Sequence, residues 1–317
     1  MRFKKFIIFI LTLLIFGCDG SYQSNDDEMV SELDAINSVK FVAVGESGTI
    51  ITSSDGISWT LMNSGTTDNL RRISYANSKY LVSSVNGNIL KSNDSINWTS
   101  QNIDSDGFNL NGVFYGDKLF VIMNRKEKIW TSSNTTDWIQ RKSGSNCVVC
   151  DNATQDGVYG NSTYVIVGHS GYILSSTDIS TWTERTSGTS SNLQDIAFGN
   201  NDFVAVGQSG TIITSSDANS WTNRTSGTTS SLNDIIYGDD LFISVGDTGT
   251  ILTSSNGSSW TSRTSGTSNQ ILGITYGKDT YLAVGVIGTI LKSNNGLSWI
   301  SINSGTDNTL NKIIFIK

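Results

Sequence analysis

The sequence predicts an all-β fold, a seven-bladed β-propeller whose C-terminal strand completes the first blade. Two observations support this prediction. Tryptophan recurs at intervals of 39 to 44 residues, and each interval contains four short runs of β-branched or aromatic residues separated by Gly, Asn, Asp and Ser. A unit of four short strands cannot cover both of its faces, so the units are expected to stack into a closed ring.

The periodic tryptophans mark the units, and we expect them to pack between blades. They are Trp59, Trp98, Trp138, Trp182, Trp221, Trp260 and Trp299. Trp130 lies outside this register. It is therefore the candidate for an exposed aromatic platform that binds carbohydrate, and burial in a strand is the alternative.

Closure of the ring follows from counting inner strands. Six of them are expected to begin at Ile73, Val113, Val158, Ile196, Ile235 and Ile274. The unit that ends at Trp59 has no equivalent strand before Phe41. Residues 310–315 (LNKIIF) repeat the pattern of residues 232–237 (LNDIIY), so the tail of the chain is expected to supply the missing strand.

A polar turn precedes each periodic tryptophan, as in residues 53–59 (SSDGISW). It resembles the Asp-box of sialidase-like repeats, although the spacing to tryptophan is one residue shorter. The equivalent positions hold Asp55, Asp94, Asn134, Asp178, Asp217, Asn256 and Asn295. A hydrogen-bonded turn tolerates Asn in place of Asp, whereas a metal cage or a catalytic acid would not. We therefore expect these residues to be structural.

The longer phrase at residues 41–59 recurs closely at 203–221 and 243–260. It resembles the repeats of the photosystem II assembly/stability factor family of plants and cyanobacteria, and the likeness covers residues 39–317. The resemblance implies a membrane-associated seven-bladed scaffold that helps to assemble or hold another protein. The partner itself is not named by the fold.

The N-terminus resembles a lipoprotein signal peptide. Residues 1–5 are basic, residues 6–16 are apolar, and Gly17 precedes Cys18, as in the bacterial lipobox. We expect residues 1–17 to be removed, Cys18 to be acylated, and residues 18–38 to form a flexible acidic tether. An ordinary secretory signal is the alternative. The expected location is the cell envelope, with the propeller anchored to a bacterial membrane on its periplasmic or surface face.

Charge and composition restrict the function. The chain has 21 Lys and Arg against 28 Asp and Glu, and loss of residues 1–17 leaves a net charge of −10. This acidity argues against nucleic-acid binding. The alternative to a protein-binding scaffold is a glycan-binding or sialidase-like glycan-cleaving propeller. The arginine motif of sialidases contains proline, and this chain has none. The single histidine, His169, occupies a variable turn position.

We therefore expect a monomeric binding protein and not an enzyme, with no cofactor and no metal site.

Blade 3 departs from the repeat. Its hairpin at residues 124–128 reads NRKEK where five other blades have Gly-x-x-Gly. Propeller topology places this hairpin on one face with the start of the next inner strands, which predicts a basic patch of Arg71, Arg72, Arg125, Lys126 and Lys128. Such a patch suits an acidic segment of a partner, such as a membrane protein, or lipid headgroups. A solvated charged turn is the alternative.

The loop that leaves blade 3 carries an insertion with Cys147 and Cys150. An even pair of cysteines in an exported domain permits a disulfide within the loop. Redox chemistry would favour a helix N-terminus, and none is predicted here. Zinc would need further ligands, which the surrounding sequence does not offer.

Overall fold

A computed structural model describes residues 40–144 and 153–316. Within them the chain forms seven antiparallel sheets of four strands each. The innermost strands of the seven sheets contact one another in cyclic order, so the sheets are the blades of a closed ring. The predicted seven-bladed β-propeller is confirmed.

The strands of each blade are given from the axis outward. Blade 1 contains β28 (Leu310–Phe315), β1 (Phe41–Gly45), β2 (Ile50–Ser53) and β3 (Thr60–Met62). Blade 2 contains β4 (Leu70–Ala76), β5 (Lys79–Ser84), β6 (Asn88–Ser92) and β7 (Thr99–Asn102). Blade 3 contains β8 (Leu110–Gly116), β9 (Leu119–Asn124), β10 (Ile129–Ser132) and β11 (Ile139–Lys142). Blade 4 contains β12 (Thr154–Gly160), β13 (Thr163–Gly168), β14 (Ile173–Ser176) and β15 (Thr183–Glu184). Blade 5 contains β16 (Leu193–Gly199), β17 (Asp202–Gly207), β18 (Ile212–Ser215) and β19 (Thr222–Arg224). Blade 6 contains β20 (Leu232–Gly238), β21 (Leu241–Gly246), β22 (Ile251–Ser254) and β23 (Thr261–Arg263). Blade 7 contains β24 (Ile271–Gly277), β25 (Thr280–Gly285), β26 (Ile290–Ser293) and β27 (Ile300–Ile302). Short 3-10 turns join the second and third strands of blades 1, 4, 5 and 6 at Glu46–Gly48, His169–Gly171, Gln208–Gly210 and Asp247–Gly249.

The C-terminal strand completes blade 1, as the sequence predicts. β28 pairs antiparallel with β1, and Ala43 lies opposite Ile313 while Phe41 lies opposite Phe315. Ile313 and Leu310 are buried in the cluster between blades 7 and 1. Since the first and last strands share one sheet, the same kind of backbone ladder that holds the other blades also joins the two ends of the ring.

The inner strands all run in one direction along the axis, which gives the ring two different faces. We call the face where they begin the top face and the face where they end the bottom face. On the bottom face, a two-residue turn with positive φ at both positions follows each inner strand of blades 2 to 7, as at Asp239 (φ 51°) and Asp240 (φ 56°). Asp and Asn enter this backbone region more readily than most residues, which explains their recurrence in these turns.

A β-bulge interrupts every inner strand just after it begins. In β4, Leu70 lies opposite Ser84 and Arg72 opposite Ser83, so Arg71 is the extra residue. The other six inner strands have the same shift in register. A bulge re-aims the side chains around it. Here the consecutive residues Arg71 and Arg72 both line the central channel.

The hydrophobic core is divided among the seven interfaces between neighbouring blades. Ile243 and Val245 of blade 6, for example, pack with Ile271 and Ile274 of blade 7. The six other clusters are built in the same way. One periodic tryptophan, partly buried, packs against each of the seven clusters. Burial of apolar surface between blades therefore stabilises the ring as a whole.

Aromatic rings close the bottom of the blade interfaces. Phe315 covers Gly277 of the preceding blade, and Tyr276 covers Gly238 in the same way. A Cβ atom at Gly277 would overlap the ring of Phe315. The glycine that ends an inner strand is therefore required by the ring of the next blade.

The inner strand of blade 4 differs by one residue from the expected register. Gly157, and not Val158, occupies the position that Ile73 holds in blade 2. The ring of Phe114 from blade 3 takes the space, since a Cβ atom at Gly157 would lie 2.5 Å from Phe114 Cε1. A large residue in one blade thus compensates for a missing side chain in the next.

One side-chain oxygen holds each turn that precedes a periodic tryptophan. Asp55 Oδ1 accepts hydrogen bonds from the backbone N–H groups of Ile57 at 2.8 Å and Ser58 at 2.9 Å. Equivalent bonds are made by Asp94, Asn134, Asp178, Asp217, Asn256 and Asn295. Asp and Asn present the same acceptor oxygen, so either residue forms this Asx turn.

Several predicted features lie outside the described residues. They are the signal segment 1–17, the acylated Cys18, the tether at residues 18–38, and the pair Cys147 and Cys150. Among the residues that the structure describes, no helix has the length and apolar character needed to cross a bilayer.

Candidate functional site

Five charged side chains meet on the axis of the ring. They stand at one equivalent position of five inner strands: Arg72, Asp156, Asp195, Asp234 and Lys312. The two remaining strands have glycine there, Gly112 and Gly273. We call the five charged residues the septum, because they lie between a cavity on the top face and a cavity on the bottom face.

Ion pairs hold the septum together. Lys312 Nζ lies 2.6 Å from Asp234 Oδ1, 3.2 Å from Asp195 Oδ2 and 3.9 Å from Asp156 Oδ2. Arg72 Nε donates a hydrogen bond to Asp156 Oδ2 at 2.9 Å. None of the five side chains is more than 14% exposed. Little water reaches these charges, so each of them depends strongly on its partners.

Two septum carboxylates also bind the backbone of the next blade. Asp195 Oδ2 accepts a hydrogen bond from Ile235 N at 3.1 Å, and Asp234 Oδ2 accepts one from Ile274 N at 2.8 Å. Each carboxylate thereby links its own inner strand to the neighbouring inner strand. The septum therefore fixes the inner strands around the axis as well as closing the channel.

Three carboxylates face two cations, so the fully ionised septum has a net charge of −1. Burial and the charge of Asp195 raise the pKa of Asp156 to about 7. Burial also raises the pKa of Asp234 above its ordinary value. At Asp195, burial opposes ionisation, but the charges of Lys312 and Arg72 and the hydrogen bonds with Asp234 and Asp156 together outweigh it and lower the pKa. The septum thus relieves its excess negative charge by binding protons, and Asp156 exchanges one near neutral pH.

The top face opens into a cavity of about 300 Å³ above the septum. Its lining consists of Glu46, Asn69, Arg71, Arg72, Asn111, Gln155, Gln194, Asn233, Leu272 and Asn311. Most of these are the bulged residues of the inner strands. Asn111 Nδ2 donates to the carbonyl oxygen of Thr154 at 2.8 Å, and Asn311 Nδ2 donates to that of Leu70 at 2.8 Å. The top mouth is therefore a polar ring whose amides are fixed between blades.

Arg71 is the cation in this ring of bulged residues. Its Nε is buried and has no hydrogen-bond partner in the described part of the chain. Burial and the charges of Arg72 and Arg125 lower the pKa of Arg71. His169, which contacts Gln155, also has its pKa lowered by burial and by Arg125. A buried guanidinium among like charges favours the approach of an anion.

The structure brings two residues of the predicted basic patch together at the top mouth. Arg71 and the exposed Arg125 lie close enough for the charge of Arg125 to lower the pKa of Arg71. Arg72 lies below them in the septum, where it donates a hydrogen bond to Asp156 and is near the negative charges of Asp195 and Asp234.

The other two predicted residues have partners of their own. Lys128 Nζ lies 3.0 Å from Asp104 Oδ1 and 2.6 Å from Asp106 Oδ2. Lys126 Nζ lies 4.0 Å from the centroid of the Phe108 ring, a cation–π contact. Of the five predicted patch residues, three therefore have no ion pair with a carboxylate among the described residues: Arg71, Arg125 and Lys126.

The bottom face opens into a cavity of about 390 Å³ below the septum. Its walls include the apolar side chains of Ile73, Val113, Phe114, Ile196, Ile235 and Ile314. The rings of Tyr75, Tyr115 and Phe315 line it as well, and Asp156, Asp195 and Lys312 form its polar end. The two mouths of the channel therefore differ in chemistry: the top is lined by amides and arginines, and the bottom by aliphatic and aromatic side chains.

The septum was not among the predicted features, although the sequence contains a signal for it. Residues 232–237 and 310–315 align with Asp234 opposite Lys312, in runs that are otherwise alike. The same position holds Arg72, Asp156 and Asp195 in three other blades. Opposite charges at one position of strands that surround an axis indicate a buried ionic cluster.

Burial decides the role of one further candidate, Trp130. Trp130 is 5% exposed and packs in the cluster between blades 2 and 3, so it offers no surface platform for a sugar. Within residues 40–144 and 153–316, no group of three or more His, Cys, Asp or Glu side chains is placed to hold a metal ion.

Comparisons with known proteins show the fold. No protein-family model matches the chain, and no curated protein matches its sequence. A solved structure of YCF48 bound to a D1 peptide is similar with a TM-score of 0.61 and 14% identity over 84% of each chain. YCF48 from Cyanidioschyzon merolae has a TM-score of 0.63 and 15% identity over 79% of this chain and 90% of that one.

An enzyme has the same architecture. Virginiamycin B lyase from Staphylococcus aureus has a TM-score of 0.65 and 14% identity, over 74% of this chain and 84% of its own. The likeness is one of fold. Since a peptide-bound protein and a lyase share this ring of blades, the function has to be argued from the residues at the two mouths.

Proposed function

We propose that this chain is a lipid-anchored β-propeller that binds an acidic segment of a partner protein at its top mouth, and that it acts by binding and not by catalysis. The proposal rests on Arg71: its side chain lines the cavity above the septum, and its buried Nε has no hydrogen-bond partner among the described residues.

The chemistry of the top mouth suits a carboxylate. A guanidinium can bind a carboxylate through two parallel N–H···O bonds, and such bonds are stronger than those between neutral groups. Arg125 adds a second positive charge beside Arg71. The amides of Gln155 and Gln194 also line the cavity and can donate to or accept from a peptide backbone. The septum closes the channel below, so a bound segment would enter and leave by the top face.

The comparisons support binding of this kind. YCF48, which has a similar fold, has been solved with a peptide bound. For the anchor, the support is the basic and apolar segment 1–17 followed by Cys18. An acylated Cys18 and the tether at residues 18–38 would hold the propeller at a membrane surface, where a membrane-protein partner is within reach.

Charge reversal at the top face tests the binding proposal. Full-length protein with Arg125→Glu and Lys126→Glu should lose its cross-linked partner in intact cells. The matched control is Lys118→Glu with Lys278→Glu, which reverses two exposed charges in bottom-face turns. It should keep the partner. Equal cross-linking by both double variants would contradict the proposal.

The anchor is tested separately. Cys18→Ala should abolish incorporation of an alkyne-tagged fatty acid and move the protein from the membrane fraction to the soluble fraction. Label that persists in this variant, or an unchanged membrane fraction, would show that Cys18 is not the site of acylation.

A further inference from the structure

The bottom mouth has the features of a second binding site, with the opposite charge preference from the top mouth. We propose that the bottom cavity binds a small organic cation with an apolar body, such as an arylalkylammonium, whose ammonium group is held by Asp156 of the septum. This inference is independent of the partner proposed for the top face, since the septum separates the two cavities.

The walls define the body of the ligand. The aliphatic side chains of Ile196, Ile235 and Ile314 line the cavity, and Phe114 projects among them. The volume of about 390 Å³ lies in the range of small-molecule pockets. An apolar group placed there is removed from water, and its burial provides a favourable contribution to binding.

The polar end of the cavity defines the charge. Asp156, Asp195 and Lys312 face the bottom cavity, whereas Arg72 lines the top one. From below, a ligand therefore meets two carboxylates and one ammonium. The septum as a whole has one more acid than base, and protons supply the missing positive charge. A cation bound at the bottom mouth would take the place of a proton.

Asp156 has the greatest spare capacity to accept a hydrogen bond. Within the described residues it accepts one bond from Gly157 N and one from Arg72 Nε. Asp195 accepts from Ile196 N, Ile235 N and Lys312 Nζ. A carboxylate offers about four acceptor positions, so the ionised Asp156 can accept a further N–H donor in addition to Gly157 N and Arg72 Nε.

An anion does not fit this site. Lys312 Nζ is the cation that faces the cavity, and it already lies within 4.0 Å of three carboxylates. An incoming anion would meet the carboxyl groups of Asp156 and Asp195 and would have to compete with them for Lys312. A neutral ligand would gain the apolar contacts and lack the ion pair.

The surrounding bottom face also favours cations. Its six two-residue turns contain four aspartates and two lysines. The aspartates are Asp117, Asp239, Asp240 and Asp279, and the lysines are Lys118 and Lys278. A rim of net negative charge attracts cations and repels anions as they approach.

Binding should depend on pH because the ligand competes with the proton on Asp156. The charged groups that face this carboxyl are Arg72 from β4, Asp195 from β16, Asp234 from β20 and Lys312 from β28. The two remaining inner strands, β8 and β24, have glycine at this level. Affinity for the cation should therefore rise between about pH 5 and about pH 8, as Asp156 becomes ionised.

Calorimetry on the full-length protein in detergent tests the proposal, with phenethylammonium as the probe. Phenethyl alcohol is the neutral control and 3-phenylpropionate the anionic control. We expect saturable binding of the ammonium, with affinity at least about tenfold above that for the alcohol, and no binding of the carboxylate.

Asp156→Asn should remove the preference for the ammonium over the alcohol and abolish the pH dependence, while leaving the weak binding of the alcohol in place. The matched control Glu46→Gln, which removes an exposed carboxylate at the top mouth, should bind the ammonium like the wild type. No saturable binding of the ammonium at about 10 mM, equal affinity for the alcohol, or unchanged binding by Asp156→Asn would overturn the proposal.

Discussion

Replacement of Asp156 by asparagine also tests the protonation of the septum through stability. Burial and the charge of Asp195 raise the pKa of this carboxyl from 3.8 to about 7. The folded protein therefore holds the proton up to near neutral pH, whereas the unfolded chain releases it at about pH 4. Proton binding by Asp156 therefore stabilises the folded protein at low pH. This contribution to the free energy of unfolding is lost as the pH rises towards 7.

The size of the effect follows from the shift. About three pKa units correspond to about 4 kcal/mol in total, and about 3 kcal/mol of this falls between about pH 5 and about pH 8. The Asp156 side chain is 7% exposed, so solvent screening does not reduce the figure much. Asparagine can accept from Arg72 and donate to Asp195, as the protonated carboxyl does, and it does not titrate. From about pH 5 to about pH 8, the free energy of unfolding of Asp156→Asn should therefore rise by about 3 kcal/mol relative to that of the wild type.

Urea denaturation followed by tryptophan fluorescence, repeated across this pH range, measures the difference. Glu46→Gln serves as the control and should follow the wild-type curve. Parallel stability curves for Asp156→Asn and the wild type would refute the reasoning, since they would mean that Asp156 has the same proton affinity in the folded and unfolded states.

Three further predictions concern the structure of the ring. Lys312→Met leaves the buried carboxylates of the septum without their shared cation, so it should lower the free energy of unfolding in urea by about 3–5 kcal/mol. The control Lys278→Met, at an exposed turn, should change it little. Ile313→Ala in the closing strand should lower the free energy of unfolding by about 2–4 kcal/mol, as should Ile235→Ala at the equivalent position of blade 6. A much smaller loss at Ile313 would show that the closing strand is not needed for the folded ring. Asp55→Ala should lower stability by about 1 kcal/mol, whereas Asp55→Asn should be nearly neutral in thermal unfolding, because Asn keeps the acceptor oxygen that holds the turn.

The ring has two mouths of different chemistry on one axis. The amide-lined top mouth with Arg71 favours an anionic group, and the apolar bottom mouth with Asp156 favours a cationic one. The septum separates them and ties the inner strands together through its hydrogen bonds to Ile235 N and Ile274 N. Arg72 lines the top cavity and Asp156 the bottom one, so their ion pair crosses the septum.

The sequence by itself determined the architecture. The tryptophan interval predicted the number of blades, and the likeness between residues 232–237 and 310–315 predicted the closing strand. The positions of the Asx turns followed from the same repeat. These features are local patterns that recur in each blade, so one chain contains several independent copies of the signal.

Only the tertiary structure decided which side chains meet on the axis. Lys312 pairs with residues 78 and 117 positions earlier in the chain, and Arg72 pairs with a residue 84 positions later. Arg71 and Arg72 are neighbours in sequence, yet a bulge leaves the first without a partner at the top mouth and places the second in the septum. Each contact across the axis joins two unlike residues from different blades. A repeat pattern describes only what the blades have in common, so it does not predict these contacts.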